Sequence, residues 1–250
     1  MKKTQFPVAI FDLDGTLLEG DSEALWSRFL YEQGIVGADF VSRVDDYYHD
    51  YEMGKLNILE YEEYLLRPLT LHPLEKLYQL RDKYLEHIRL IVRPSMMKLV
   101  HWHREQGHML LLITATNSFL AGPIADLLHF PNLICTIAQR QGKQITGKVS
   151  GTPVFREGKV HALNQWLAKR GLALEGSWGY SDSHNDLQLL ELVEHPVAIS
   201  PDSILNELAH NREWEVMMLP ENRSPSEGAT HEAKSPDGRF PVAEESLWLD

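Results

Sequence analysis

Two carboxylates, Asp12 and Asp14, close an apolar run of Val8, Ala9, Ile10 and Phe11 and are followed at once by Gly15 and Thr16. The run reads as a buried strand of the parallel type. Its two-residue period sends positions 12 and 14 to the same side where the strand ends. In an open α/β sheet that end is where ligands bind. Two acids there repel each other and lose hydration, an arrangement that becomes tolerable with a cation between them. Hard oxygen donors of this kind suit magnesium. An Asp-Gly turn after an edge strand is the alternative that needs no chemistry. Three further groups downstream, each behind its own strand, count against it. Thr114 closes a second apolar strand in Leu112-Ile113-Thr114-Ala115-Thr116, where a hydroxyl and exposed backbone N–H groups can hold a phosphate oxygen. Lys159 opens an amphipathic helix that carries Val160 and Leu163. Asp182 closes another strand, and Asp186 follows within Ser183-His184-Asn185-Asp186. Ser183 and Asp186 also fit a helix capping box, which would account for Asp186 but not for Asp182.

The elements that must position these groups alternate along the chain. Asp21-Ser22 reads as an N-cap, with Ala24, Leu25, Phe29 and Leu30 at helical spacing behind it. Up to about residue 90 there is no convincing strand. Tyr47, Tyr48, Tyr51, Leu56, Leu59, Tyr64 and Leu65 fit short amphipathic helices punctuated by Pro68 and Pro73, and Leu74, Leu77, Leu80, Tyr84, Leu85 and Ile88 make a clear helical face. Pro94 opens a further helix closed by Gly107. Strands follow at 109–113 and 133–138, separated by a short helix over 123–128. Residues 144–149 and 152–155 are expected to form a small hairpin. Further strands are expected at 177–180, 197–199 and 214–219, with a helix over 186–192. The pattern predicts a Rossmann-like α/β core with a parallel sheet, built from residues 1–18 and 91–220 and interrupted by a helical insertion over 19–90. Residues 221–250 shift to Ser, Pro, Gly, Glu and Lys and are expected to be a disordered tail, with Leu247-Trp248-Leu249 at its apolar tip.

The chain has 250 residues and a net charge of -12. That balance argues against non-specific nucleic-acid binding, because phosphate contacts need a basic surface. No run reaches the roughly 18 apolar residues of a membrane span, and the apolar stretch after Pro7 is too short for a signal-peptide core. The single cysteine, Cys135, sits in an apolar run and reads as a buried thiol of a cytoplasmic protein. His101 and His103 stand two apart on a helix, so they do not face each other as a zinc pair would.

Taken in order, Asp12-x-Asp14-x-Thr16, Thr114, Lys159 and Asp182-x-x-Asn185-Asp186 resemble the four motifs of the haloacid dehalogenase-like (HAD) phosphohydrolases. The resemblance covers roughly residues 6–220, and its last motif is most similar to the phosphoserine-phosphatase-like branch. It implies Mg²⁺ held by Asp12, Asp182 and Asp186 with the backbone carbonyl of Asp14. It implies Asp12 as the nucleophile that becomes an aspartyl-phosphate, and Asp14 as general acid and base. Thr114, Ala115 and Asn185 would hold the phosphate. Lys159 would neutralise the gathered charge, with Arg156 as the nearby competitor. The insertion over 19–90 corresponds to a cap that reads the leaving group. Its acids (Asp21, Glu23, Asp45, Asp46, Asp50) and aromatics (Trp26, Tyr47, Tyr48, Tyr51) suggest an amine-bearing substrate. Asp21 and Glu23 are the leading candidates to meet that amine. The details resemble bacterial histidinol-phosphate phosphatases. Phosphoserine is the alternative substrate, although the Thr114 loop departs from phosphoserine phosphatases in lacking a glycine pair. A phosphomutase and a non-catalytic phosphate-binding protein are the readings from other classes. The expected partner is a small phosphorylated metabolite, and the expected assembly a monomer or homodimer.

Overall fold

The computed structural model describes residues 7–220. The sequence's expected tail, 221–250, lies outside them. Seven strands form one sheet in the order β4-β3-β2-β1-β5-β6-β7. They are β1 (Val8–Phe11), β2 (Met109–Asn117), β3 (Leu133–Gln141), β4 (Gln144–Ser150), β5 (Trp178–Ser181), β6 (His195–Ile199) and β7 (Glu215–Met217). Every pairing is parallel except β3 with β4. From β1 the chain builds outward through β2 and β3, then returns to the other side of β1 and builds outward through β5, β6 and β7. The strand order therefore reverses between β1 and β5, and the carboxyl ends of these central strands open onto one crevice.

β1 sits where it does because it is apolar on both faces. Val8 and Ile10 pack with Leu111, Ile113, Leu163 and Trp166 on one side. Ala9 and Phe11 pack with Leu110, Leu112 and Tyr180 on the other. Phe11 is fully buried and stacks on Tyr180 with ring centroids 4.6 Å apart. A side chain of that size contributes about 1.5–3 kcal/mol on burial, so the residue just before Asp12 is held hard by the core. The Asp12 N–H still donates to Tyr180 O at 3.0 Å, which keeps its backbone in the ladder.

Between β1 and β2 lie α1 (Ser22–Glu32), α2 (Ala38–Glu52), α3 (Ile58–Thr70), α4 (Leu74–Ile91) and α5 (Pro94–Glu105). The chain leaves and re-enters the sheet layer side by side: Arg93 N donates to Leu17 O at 2.9 Å and Glu19 N to Ile91 O at 2.7 Å. Asp21 caps α1, its Oδ1 accepting from Glu23 N and Ala24 N. Trp26, Phe29, Leu77, Tyr84 and Ile88 of α1 and α4 belong to the same apolar cluster as Phe11 and Leu112. Only Val44, Tyr47, Tyr61 and Leu65 of α2 and α3 form a small cluster of their own. The end of α3 lies close on β4, where a Cβ at Gly147 would come within 2.9 Å of Thr70 Cγ2. The remaining helices are α6 (Ser118–Leu127), α7 (Glu157–Arg170), α8 (Leu187–Leu190) and α9 (Ser203–Asn211).

Three expectations are corrected. The hairpin pairs β4 with β3, not with 152–155. β3 runs on through Gln139, Arg140 and Gln141, exposed residues whose polarity hides the strand, whereas Val154 is tied back to β3 by its N–H to Thr136 Oγ1 at 3.0 Å. α6 starts at Ser118, capped by Asn117, and Pro123 lies inside it instead of opening it. The helix expected over 186–192 is a 3-10 turn, His184–Asp186, followed by the single turn α8. Cys135 is buried as expected, and burial pushes its thiol up to about 12. His103 is fully buried between His108 Nδ1 and the Tyr180 hydroxyl, each at 2.7 Å, and serves the core, not a metal. Among the described residues no helix is long and apolar enough to cross a membrane.

Candidate active site

The carboxyl ends of β1, β2 and β5 bring the predicted residues to one cleft. Asp12, Asp14, Thr114, Ala115, Lys159, Asn185 and Asp186 all line it, together with Asp21 and Glu23 of the insertion. Lys159 is its electrostatic pivot. Placed in the first turn of α7 and 4% exposed, it donates from Nζ to Asp12 Oδ1 at 2.8 Å and to Asp186 Oδ2 at 2.7 Å. Ser181 Oγ also donates to Asp186 Oδ2, at 2.8 Å. The capping-box reading of Asp186 is therefore wrong. Ser183 Oγ caps the 3-10 turn by accepting from Asn185 N, and Asp186 Oδ2 accepts from Lys159 and Ser181 instead of from the turn.

Asp14 is held separately. Ser22 N donates to its Oδ1 and Thr116 Oγ1 to its Oδ2, both at 2.7 Å. Thr114 Oγ1 donates in turn to Thr116 Oγ1 at 3.0 Å, so a line of hydroxyls runs from the end of β2 to this carboxylate. The register of β2 on β3 shifts between Thr114 and Asn117, and Ala115, within this irregular stretch, lines the cleft. Asp182 accepts from Thr16 Oγ1 at 3.0 Å and lies against Gly15, whose φ is +73°. A Cβ at Gly15 would fall 2.0 Å from Asp182 Oδ2, so the loop after β1 can meet this carboxylate only as glycine.

The site holds more negative charge than it neutralises. Burial, then repulsion from Asp186 and Asp14, outweighs the Lys159 ammonium and lifts the Asp12 carboxyl to about 7. Burial and the Asp21 charge lift Asp14 to about 7 against the hydrogen bonds from Thr116 and Ser22. Burial and Asp12 push Asp182 well above the usual carboxylate range. Lys159 moves the other way: burial lowers it, but Asp12 and Asp186 outweigh burial and hold it firmly charged. Four acids against one lysine are a donor set that fits a divalent cation with a preference for oxygen. Among the described residues no three His, Cys, Asp or Glu side chains already stand as a closed cage. The fit therefore rests on donor chemistry and on the uncompensated charge.

Arg156 is not the neutralising cation. Its Nε donates to Asn185 Oδ1 at 2.7 Å and its guanidinium reaches Gly54 O at 3.1 Å, tying the loop after α2 to the core. Tyr51 OH makes a second tie, to Ser183 Oγ at 2.8 Å. Of the insertion's other candidates, Trp26 and Tyr47 are core, and Asp45, Asp46 and Tyr48 are exposed. Arg28 pairs with Asp45, Arg43 with Asp46 and Glu60, Arg67 covers Tyr64, and Lys55 is exposed. None of these cations lines the cleft. Thr116, Ser22, Ser181 and Arg156 acquire roles that the sequence reading did not assign. The two-residue spacing of Thr114 and Thr116 was the available signal for Thr116; nothing local marks Ser22 or Ser181.

A family model for haloacid dehalogenase-like hydrolases matches residues 9–191. The chain belongs to this family. The HAD fold extends over nearly all the described residues. A structure of a protein with unknown function from Bordetella pertussis Tohama I superposes with a TM-score of 0.80 at 39% identity, covering 86% of this chain and 99% of that one. A histidinol-phosphatase of Neisseria meningitidis serogroup C (strain 8013) is 37% identical over 216 residues, 84% of this chain and 97% of its own. The phosphoserine phosphatase SerB1 of Mycobacterium tuberculosis (strain ATCC 25618 / H37Rv) is 31% identical over 225 residues, 83% of this chain and 69% of its own. The protein is thus a HAD-type phosphatase of the phosphoserine-phosphatase-like branch.

Proposed function

We propose that the protein hydrolyses the phosphomonoester of an amino alcohol, with histidinol phosphate as the best-fitting substrate, through an aspartyl-phosphate on Asp12. The observation that carries the substrate is the make-up of the cleft. It presents Asp21 and Glu23 beside the rings of Tyr51 and Tyr61, and its one cation, Lys159, is already bonded to two carboxylates. An ammonium with a ring-bearing body suits such walls. The carboxylate of phosphoserine would need a cationic partner, and no cation besides Lys159 lines the cleft. Phosphoserine stays as the second reading because of the 31% identical phosphoserine phosphatase.

In the first step an Asp12 carboxylate oxygen attacks phosphorus, the ester P–O bond breaks, and Asp14 gives its proton to the departing alkoxide. Asp14 suits this role because its raised pKa keeps a proton available near neutral pH. In the second step a water molecule gives one of its own protons to Asp14, now a carboxylate, and attacks phosphorus. The Asp12–phosphorus bond breaks and inorganic phosphate leaves. Lys159 draws the Asp12 pKa down against the burial that raises it and orients the carboxylate, and Thr114, Ala115 and Asn185 hold the transferring oxygens. Mg²⁺ held by Asp12, Asp182, Asp186 and the Asp14 carbonyl would supply the positive charge that offsets repulsion between nucleophile and phosphate dianion. The insertion over 19–90 acts as the cap, excluding water and reading the leaving group.

Phosphate release from a panel of phosphorylated metabolites tests the proposal. Histidinol phosphate is expected to give a higher kcat/KM than phosphoserine. A preference for phosphoserine would reverse the substrate, and turnover without inorganic phosphate would indicate a mutase.

A further inference from the structure

Among the described residues Glu62 is a carboxyl group that the site described above does not account for. It lies in the middle of α3, is 0% exposed, and neither of its carboxylate oxygens has a hydrogen-bond partner among the described residues. A buried polar group costs free energy unless something satisfies it, and a buried carboxylate costs more. Its surroundings make matters worse. Glu23, from α1, is 4% exposed and is the next residue in this pocket of charge. Burial and then Glu62 itself push the Glu23 carboxyl well above its usual range. Glu62 in turn feels burial, Asp21 and Asp14, two carboxylates that line the cleft, and the Asn117 amide offsets only part of this. That amide is largely spent on Glu23: both Asn117 N, at 3.0 Å, and Asn117 Nδ2 donate to the single oxygen Glu23 Oε1. The other Glu23 oxygen receives neither bond, and Glu23 lines the cleft.

A cation arriving from outside would balance two acids of this kind. The arriving group must fit between the Asp14 side of the cleft, where the leaving oxygen is protonated, and the α1–α3 wall. An organic ammonium carried on the leaving group meets both conditions, and the Tyr61 ring, next to Glu62 on α3 and lining the cleft, adds an aromatic face for it. We propose that Glu62 and Glu23 form a recessed carboxylate pair that receives the ammonium of the substrate, with Glu62 as the specificity-determining residue. This deepens the phosphatase reading and rests on it. Glu23 supplies the contact at the cleft wall. Glu62, buried and outside the cleft lining, supplies the second charge that makes a cation preferred over a neutral hydrogen-bond donor.

The test compares histidinol phosphate with its des-amino analogue, in which hydrogen replaces the amine, on wild type and on E62Q, which preserves shape and removes the charge. Wild type is expected to favour the amine substrate by at least roughly tenfold in kcat/KM. E62Q is expected to reduce that ratio by roughly 10- to 100-fold, chiefly through KM, the scale of one charge-assisted hydrogen bond. Equal losses on the two substrates, particularly with a raised Tm, would mean that Glu62 and Glu23 are only a protonated structural pair, and would overturn the inference while leaving the phosphatase reading intact. A wild-type ratio near one would overturn it too, and this measurement stands even if E62Q does not fold. Absence of turnover on p-nitrophenyl phosphate by wild type would mark failure of the phosphatase reading itself.

Discussion

Replacing Gly15 with alanine separates the Asp182 carboxylate from the rest of the site more cleanly than removing any carboxylate would. The new Cβ would lie 2.0 Å from Asp182 Oδ2, 2.4 Å from its Cγ and 2.8 Å from Oδ1. Ordinary contact needs separations near 3.5 Å, so the carboxylate must retreat by roughly 1.5 Å. Any retreat of Asp182 must stretch or break the bond by which Thr16 Oγ1 holds its Oδ1 at 3.0 Å. The backbone adds a second cost. Gly15 has φ +73°, a conformation that costs an alanine about 1–2 kcal/mol. For a domain of this size that is a fall in Tm of about 2–8 °C. A displacement of about 1 Å at a catalytic group costs about 100-fold in rate, so turnover should fall by about that factor. The half-saturating Mg²⁺ concentration should rise as well, since Asp182 is a proposed ligand. Differential scanning fluorimetry and p-nitrophenyl phosphate turnover across a Mg²⁺ titration measure all three. A G15A protein with wild-type turnover and wild-type Mg²⁺ dependence would refute both the steric reasoning and the role given to Asp182.

Asp12→Asn keeps the size of the side chain and removes the attacking charge; a folded protein that has lost several orders of magnitude in turnover is expected, and near-wild-type phosphate release would remove Asp12 from the mechanism. Exhaustive chelation with EDTA should abolish turnover and Mg²⁺ should restore it, with Ca²⁺ inhibiting because its looser coordination fits in-line transfer poorly; full activity in the chelated enzyme would exclude the proposed ion. Asp14 must be protonated to act on the leaving alkoxide, and its carboxyl is raised to about 7, so kcat/KM on an alkyl phosphate should fall as pH rises through about 7. Asp21 is, after burial, the main cause of that rise. D21N, which keeps an oxygen to cap α1, should lower the Asp14 pKa and move the falling limb to lower pH. The limb should be weak for p-nitrophenyl phosphate, whose leaving group needs no proton. An unmoved limb in D21N would assign it to another group.

What the sequence made legible is local. β1 announces itself because four consecutive apolar residues are buried on both faces, and the break to Asp12 is as abrupt in the fold as in the text. α1 and its cap follow from Asp21-Ser22 for the same reason. Features that failed to read did so through polarity or distance. The outer half of β3 is exposed and polar, so an apolar criterion ends the strand at Ala138. The bonds that set the site span the chain: Thr16 to Asp182 across 166 positions, Lys159 to Asp12 across 147 and Thr116 to Asp14 across 102. No window of sequence contains both partners. Spacing could nominate Asp12, Asp14, Asp182 and Asp186, but it could not show that Lys159 sits between two of them while Ser22 and Thr116 hold a third apart.

Glu62 is the sharpest instance. In Glu60-Tyr61-Glu62-Glu63 it is one acid of three on a helix, and a run of this kind reads as a solvated face. Its neighbours bear that out, with Glu60 exposed, whereas Glu62 is fully buried beside Tyr61. What distinguishes it is the packing of α3 against β4 and the rest of the fold, and not its own residues. The division of labour follows from the same fact. The groups proposed to handle phosphate stand at the ends of strands or at helix starts, where a short motif fixes their position and chemistry common to every phosphomonoester constrains their type. Those proposed to discriminate the leaving group stand on helices whose placement depends on tertiary contact. For that reason a motif can identify the reaction of this chain, while its choice of substrate has to be read from a buried charge that lacks a partner.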